Sequence, residues 1–100
     1  MTSDDLRRLA LGLEDAVEQP YHGRPSFRVD GEVFANLPDE DRAHLMLSSE
    51  EIEAAVETYP EQCFGVPWGK RLGALGVWLE KVGEEDLLAL LEQAYARRRP

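Results

Sequence analysis

The chain has one cysteine, two histidines and 11 basic residues against 20 acids. No apolar run approaches the roughly 20 residues that a membrane-spanning helix needs. The N-terminus lacks the basic-then-apolar order of a signal peptide, so a cytoplasmic location without membrane attachment is expected. The lone Cys63 excludes an internal disulfide and a cysteine-based zinc site. No repeat at a solenoid period and no low-complexity tract is present. Neither G-x-x-x-x-G-K-[ST] nor G-x-G-x-x-G occurs, so no phosphate-cradling motif points to a nucleotide cofactor.

What is present is an ordinary globular composition on 100 residues, with 43% apolar and 31% charged side chains. That length predicts one domain over residues 1–100, able to bury a small core without staples. The net charge is −9. Its placement is uneven: residues 1–20 carry −3 and residues 38–62 carry −7, residues 21–37 are neutral, and residues 63–83 carry +2. The acid therefore falls in predicted helices and turns, and the predicted strands are neutral to basic.

Asp30-Gly31 lies between two runs rich in Val and Phe, the strongest short-range hairpin signal a sequence offers. A two-residue loop would set Val29 opposite Glu32 and Phe27 opposite Phe34, with both rings on one side of the ribbon. The predicted strands are Ser26–Val29 and Glu32–Leu37, with Val33, Ala35 and Leu37 on the second face. Upstream, Thr2-Ser3-Asp4-Asp5 caps a helix whose stripe is Leu6, Leu9, Ala10 and Leu13, ending near Leu11. Glu14 to Gln19 is acidic and non-repeating, and Pro20 and Pro25 bracket an irregular lead-in to the hairpin.

Downstream, a charged turn at Pro38–Arg42 leads to a third strand, Ala43–Leu47. Ser48 and Glu51 form a capping box for a helix that Pro60 ends. Cys63–Val66 is a short extended run, and the three glycines in Pro67–Gly76 have the composition of a loop. Gly76–Val82 reads as a strand. The last helix opens at Gly83 and buries Leu87, Leu88, Leu91, Ala94 and Tyr95. The element order α-β-β-β-α-β-β-α predicts an α+β fold with an antiparallel sheet of about five strands.

Gly23-Arg24-Pro25-Ser26-Phe27-Arg28-Val29-Asp30-Gly31-Glu32-Val33-Phe34-Ala35, then Phe64 with Val66-Pro67, Gly76-Val77-Trp78-Leu79 and Ala94-Tyr95 carry a family resemblance. The chain resembles the MmcQ/YjbR family of small bacterial proteins over essentially its whole length. The resemblance implies a curved antiparallel sheet with helices packed on one side, similar to secretion-chaperone-like folds. It also implies DNA binding, by a family designation that rests on analogy of shape. Where many relatives read Thr-Pro-His and an aromatic, this chain reads Val66-Pro67-Trp68. The resemblance carries over no catalytic set.

Candidate ligand-binding residues are Tyr21, His22, Arg24, Arg28, Trp68, Lys70 and Arg71. The arginines and lysines, with Lys81, offer phosphate contacts, and Trp68 and Tyr21 offer stacking groups. The bland reading makes them solvated cations and an aromatic at the core edge. A −9 domain repels a polyanion unless its cations are segregated, so Arg24, Arg28, Lys70 and Arg71 must share one face for DNA to be held. His44 alternates with Leu45 and should point away from it. His22 has no metal-ligand spacing. Cys63 beside Phe64 and Val66 reads as a buried small residue. The acidic clusters cap helices and fill a turn, without calcium-loop spacing. No acid, base and nucleophile set emerges. The expectation is a non-enzymatic binding module without a cofactor, its partner nucleic acid or, alternatively, a protein or small anion.

Overall fold

In a computed structural model that describes residues 1–99, three helices cover one side of a six-stranded antiparallel sheet. In chain order the elements are α1 (Ser3–Leu11), β1 (Val17–Tyr21), β2 (Arg24–Val29), β3 (Glu32–Asn36), β4 (Arg42–Leu45), α2 (Ser49–Thr58), β5 (Cys63–Trp68), β6 (Arg71–Trp78) and α3 (Glu84–Arg98). The strands lie side by side as β1-β2-β3-β4-β6-β5. The α+β class and the one-sided helix layer agree with expectation. The strand count does not, because residues 17–21 form an additional strand. Among the described residues no helix is long and apolar enough to cross a membrane.

The predicted capping box forms at α2, and the N-cap cluster of α1 turns out to be a second one. The Thr2 hydroxyl accepts from the Asp5 amide while the Asp5 carboxylate accepts from the Thr2 amide, and Ser48 and Glu51 repeat the arrangement at α2. Each satisfies two backbone donors that a helix start leaves without partners. The helices then bury Leu6, Leu9 and Ala10 (α1), Ile52 and Ala55 (α2), and Leu87, Leu90, Leu91 and Ala94 (α3) in one core with the inward strand residues. Within α3, Leu90 is buried and Leu88 and Tyr95 are only half-buried, so the stripe is rotated slightly from the predicted one.

The Asp30-Gly31 hairpin forms with positive φ at both turn residues, 51° and 81°, the pattern of a type I′ turn. Val29 faces Glu32 as predicted, but Phe27 faces Ala35 rather than Phe34. The register shifts between Phe27 and Arg28, so Arg28 opposes Val33 and Phe34 is the extra residue of a β-bulge. The bulge lets Phe34 and Ala35 both enter the core, where Phe34 meets Tyr95 of α3 edge-on at 5.8 Å. Leu37 is also in the core, against the prediction that Ala35 and Leu37 lie on the other face.

The stretch Pro67–Gly76 is not a loop. Val66 pairs with Ala74, Pro67 with Leu72 and Trp68 with Arg71, closing a hairpin over Gly69-Lys70. Gly69 has φ 68°, which suits the first turn position of a two-residue hairpin loop. The predicted strand Gly76–Val82 is correspondingly displaced: β6 ends at Trp78, and residues 79–82 turn into α3. The β4 strand likewise spans Arg42–Leu45 rather than Ala43–Leu47.

Candidate functional site

Side chains alternate across a strand, so the core residues define which positions face the other way. Phe27, Ala43, Leu45, Leu75, Val77 and Cys63 point to the helices. Their neighbours therefore present Arg24 and Arg28 (β2), Arg42 and His44 (β4), Trp78 (β6), and Phe64 and Trp68 (β5) on the bare face. Arg71 joins them because the register shifts between Val66 and Pro67, leaving Gly73 unpaired and setting Arg71 opposite Trp68. No outward strand position carries a carboxylate. The two acids within strands, Glu18 and Glu32, sit opposite core residues and meet arginines of the helices: Glu18 binds Arg7 at 2.7 Å and Glu32 lies 4.0 Å from Arg98.

The ion pairs sharpen the division. Arg7, Arg8, Arg97, Arg98 and Arg99 each pair with an acid, and so does Arg42, with Asp39 at 2.8 Å. Among the described residues Arg24, Arg28, Lys70, Arg71 and Lys81 have no such partner. These are the five cations singled out from the sequence. The buried Nε of Arg28 also has no hydrogen-bond acceptor among the described residues.

Two glycines shape the aromatic part of the face. A Cβ at Gly76 would collide with the Phe64 ring, and one at Gly73 with the Trp68 ring. Each ring thus lies across bare backbone on the neighbouring strand. Phe64 also packs on Trp78 at 4.8 Å, and the Arg42 guanidinium stands 5.0 Å over the Trp78 ring in cation–π contact. Trp68 remains 52% exposed. Sequence reasoning missed Arg42, Phe64 and Trp78 as members of this surface. The available signal was the i, i+2 spacing of Gly76 with Trp78 and of Arg42 with His44.

Of the predicted site residues, Tyr21, Arg24, Arg28, Trp68 and Arg71 share the face, His22 and Lys70 lie in turns at its ends, and the set forms two groups. Tyr21, His22 and Arg24 surround the β1–β2 turn at one edge of the sheet, where the Tyr21 and His22 rings meet edge-on at 4.2 Å. Trp68, Lys70 and Arg71 surround the β5–β6 turn at the opposite edge and the opposite end. By strand rise and spacing Arg24 and Arg71 are roughly 25 Å apart, with Arg28 between them. A single compact pocket built from all seven does not exist, but an extended ligand crossing the face meets both groups.

His44 points outward, as its alternation with Leu45 predicts, and is half-buried. Burial, and secondarily the Arg42 charge, lower its pKa from the ordinary 6.5, with Asp39 opposing. A histidine depressed in the folded state adds stability above its unfolded pKa, and that stability is lost as pH falls through the folded value. The melting temperature of the native chain should therefore fall further between pH 7 and pH 5 than that of His44→Gln, as read by circular dichroism. Equal falls would remove His44 as the titrating group.

Cys63 is buried, and burial together with the Asp86 charge pushes its thiol up to about 11. It is a packed thiol rather than an activated one. Among the described residues no group of three or more His, Cys, Asp and Glu side chains is placed to hold a metal ion. A cleft of about 640 Å³ lies beside Met1–Ser3, Glu40, Asp41 and Trp78–Lys81, at the border of the arginine face where Trp78 ends β6.

This architecture defines a small α+β protein built on an open antiparallel sheet, with one face packed by helices and one left bare. The YjbR family model matches residues 11–97, and the chain belongs to that family. The crystal structure of Deinococcus radiodurans protein DR2400, a DUF419 domain, is similar in fold. Its TM-score is 0.73 over 94% of this chain and 75% of that one, at 23% identity. A comparison with curated protein sequences finds no match.

Proposed function

We propose that this YjbR-family protein is a non-enzymatic binding module that takes nucleic acid across the bare face of its sheet. The observation that carries this reading is that the face holds Arg24, Arg28, Arg42 and Arg71 and no outward carboxylate, in a chain of net charge −9. Net charge opposes such a partner only where the acids act on it. Here they stand on the helices, on turns, or against arginines of the helix layer, and among the described residues only Asp39 pairs with an arginine of the face, Arg42. A helix layer lies about 10 Å behind a sheet, and the Debye length at physiological salt is about 8 Å, so the remote acids are largely screened. The side chains Phe64, Trp68 and Trp78 interleaved with the arginines suit a ligand that offers both phosphates and flat bases. The non-enzymatic part of the reading rests on the inert Cys63 and on the absence of any acid, base and nucleophile set on this face.

The test is fluorescence anisotropy with a labelled mixed-sequence 20-mer, single- and double-stranded, between 50 and 200 mM salt. Four phosphate contacts imply a slope of log K on log salt of about −3 for single strands and about −3.6 for duplex. Affinity should therefore fall roughly 50- to 150-fold over that range. The reading is wrong if neither form binds at 50 mM salt. Salt-insensitive binding would instead favour the alternative, a protein or small-anion partner on the same face.

A further inference from the structure

We infer that the end of the sheet where the β5–β6 hairpin meets the end of α3 holds one unpaired nucleotide of a single strand, its base on Trp68 and its phosphate among Arg71, Arg97 and Arg98. The inference rests on nucleic acid being the ligand and narrows it to single strands. A cleft of about 340 Å³ opens there, lined by Trp68, Arg71, Arg97 and Arg98 together with Met46, Leu47, Ser48, Ser49, Leu72 and Gly73. Among the described residues no carboxylate lines it. The volume is at the low end of small-ligand sites, the size for one unit of a chain rather than a large ligand.

The Trp68 ring is held as a platform. Its inner side lies across Gly73, where any Cβ would collide with it, and half of its surface stays exposed. The hairpin register fixes Arg71 directly opposite Trp68, so a stacking surface and a free guanidinium project together from one strand pair. Across the cleft, Arg97 uses Nη1 on the Met46 carbonyl at 3.4 Å and Nε towards Glu51 at 3.2 Å. Arg98 donates through Nε to the Val33 carbonyl at 3.1 Å, and its Nη1 lies 4.0 Å from Glu32. These contacts anchor both side chains from the protein side. Each guanidinium has five N–H donors, so each retains donors for a phosphate.

Duplex fits this site poorly. Its bases are stacked on one another and present only their edges, so an open indole face has nothing to pack against. An unpaired base has a free face, and stacking on an exposed aromatic is indifferent to which base it is. The site therefore selects strand state rather than sequence.

The experiment measures the full chain against three probes at 50 mM salt: an oligothymidylate 10-mer, a 10-base-pair duplex and thymidine monophosphate. The expected result is single-strand binding at least 10-fold tighter than duplex binding, with quenching of tryptophan fluorescence. Trp68→Leu should weaken the single strand about 10-fold and abolish the quench. Arg71→Gln gives an independent loss of affinity if Trp68→Leu does not fold. Equal affinity for duplex and single strand, or strand binding without a quench, overturns the inference while leaving the nucleic-acid reading standing. Monophosphate binding as tight as the 10-mer also overturns it, by making the cleft a free-nucleotide site. If neither polymer binds, both readings fail together.

Discussion

Phe34→Ala is expected to lower the unfolding free energy by about 3–5 kcal/mol, the range for truncating a buried aromatic. For a domain of this size that corresponds to a fall in melting temperature of more than about 12 °C. Phe34 is fully buried, and its ring is the main contact between the bulged β3 strand and Tyr95 of α3. Removing it opens a cavity between sheet and helix and also removes an aromatic pair worth about 0.5–1.5 kcal/mol. The adjacent Val33 provides the control. It is half-buried and lies opposite Arg28 on the bare face, so Val33→Ala should cost less than about 1 kcal/mol. A regular hairpin without the bulge would still send Phe34 inwards but would turn Ala35 out. Ala35→Leu is therefore informative as well, because Ala35 is fully buried opposite Phe27 and an added side chain there overpacks the core. Denaturant melts of these variants decide the register: a larger loss for Val33→Ala than for Phe34→Ala is incompatible with it.

That register marks the limit of what the sequence discloses about this fold. Asp30-Gly31 announces its turn because both residues tolerate positive φ, and that choice is local. The bulge is not local. It arises because α3, some sixty residues later in the chain, offers Tyr95 a place to receive Phe34. The β1 strand left no pattern either, since all five of its residues are exposed and it lies on the sheet edge. With no buried side, Val17–Tyr21 shows no alternation to read, and an edge position accommodates Pro20. Gly73 and Gly76 mislead in the opposite direction. Glycine suggests a loop because it frees the backbone, whereas here it removes a side chain so that Trp68 and Phe64 can lie against the neighbouring strand.

The candidate surface was half legible for a related reason. Segment charges show where acid is concentrated along the chain but not to which side of a strand each charge points. Arg24, Arg28, Lys70 and Arg71 could be picked out as a neutral-to-basic minority. Arg42 could not, because it sits in the most acidic segment, and only its pairing opposite Trp78 turns it to the bare face. The reverse holds for Glu18 and Glu32, which flank the hairpin in sequence and yet face the helix side through their ion pairs. Segregation of charge in this protein is a property of the pleat, not of the composition.

Reversing Arg28 and Arg71 together is expected to weaken nucleic-acid binding at least 100-fold at 50 mM salt. Each phosphate contact contributes about one order of magnitude at that ionic strength, from the salt slope per contact, and each reversal adds repulsion. Arg28 and Arg71 lie on β2 and β6 of the same face, with Arg42 on the strand between β3 and β6, so an extended strand that spans the sheet meets all three. The decisive comparison holds net charge constant. Arg28→Glu and Arg8→Glu each take the chain equally further from neutrality, but Arg8 is on α1, already paired with Asp5 and Glu84. Its pairs are solvent-exposed and contribute little to stability, so the variant should remain folded. If the bare face is the interface, Arg28→Glu lowers affinity about 10-fold or more and Arg8→Glu changes it less than about 3-fold. Equal losses in the two variants would mean that the protein is governed by its overall charge, and that the carboxylate-free face is not where an anionic partner binds.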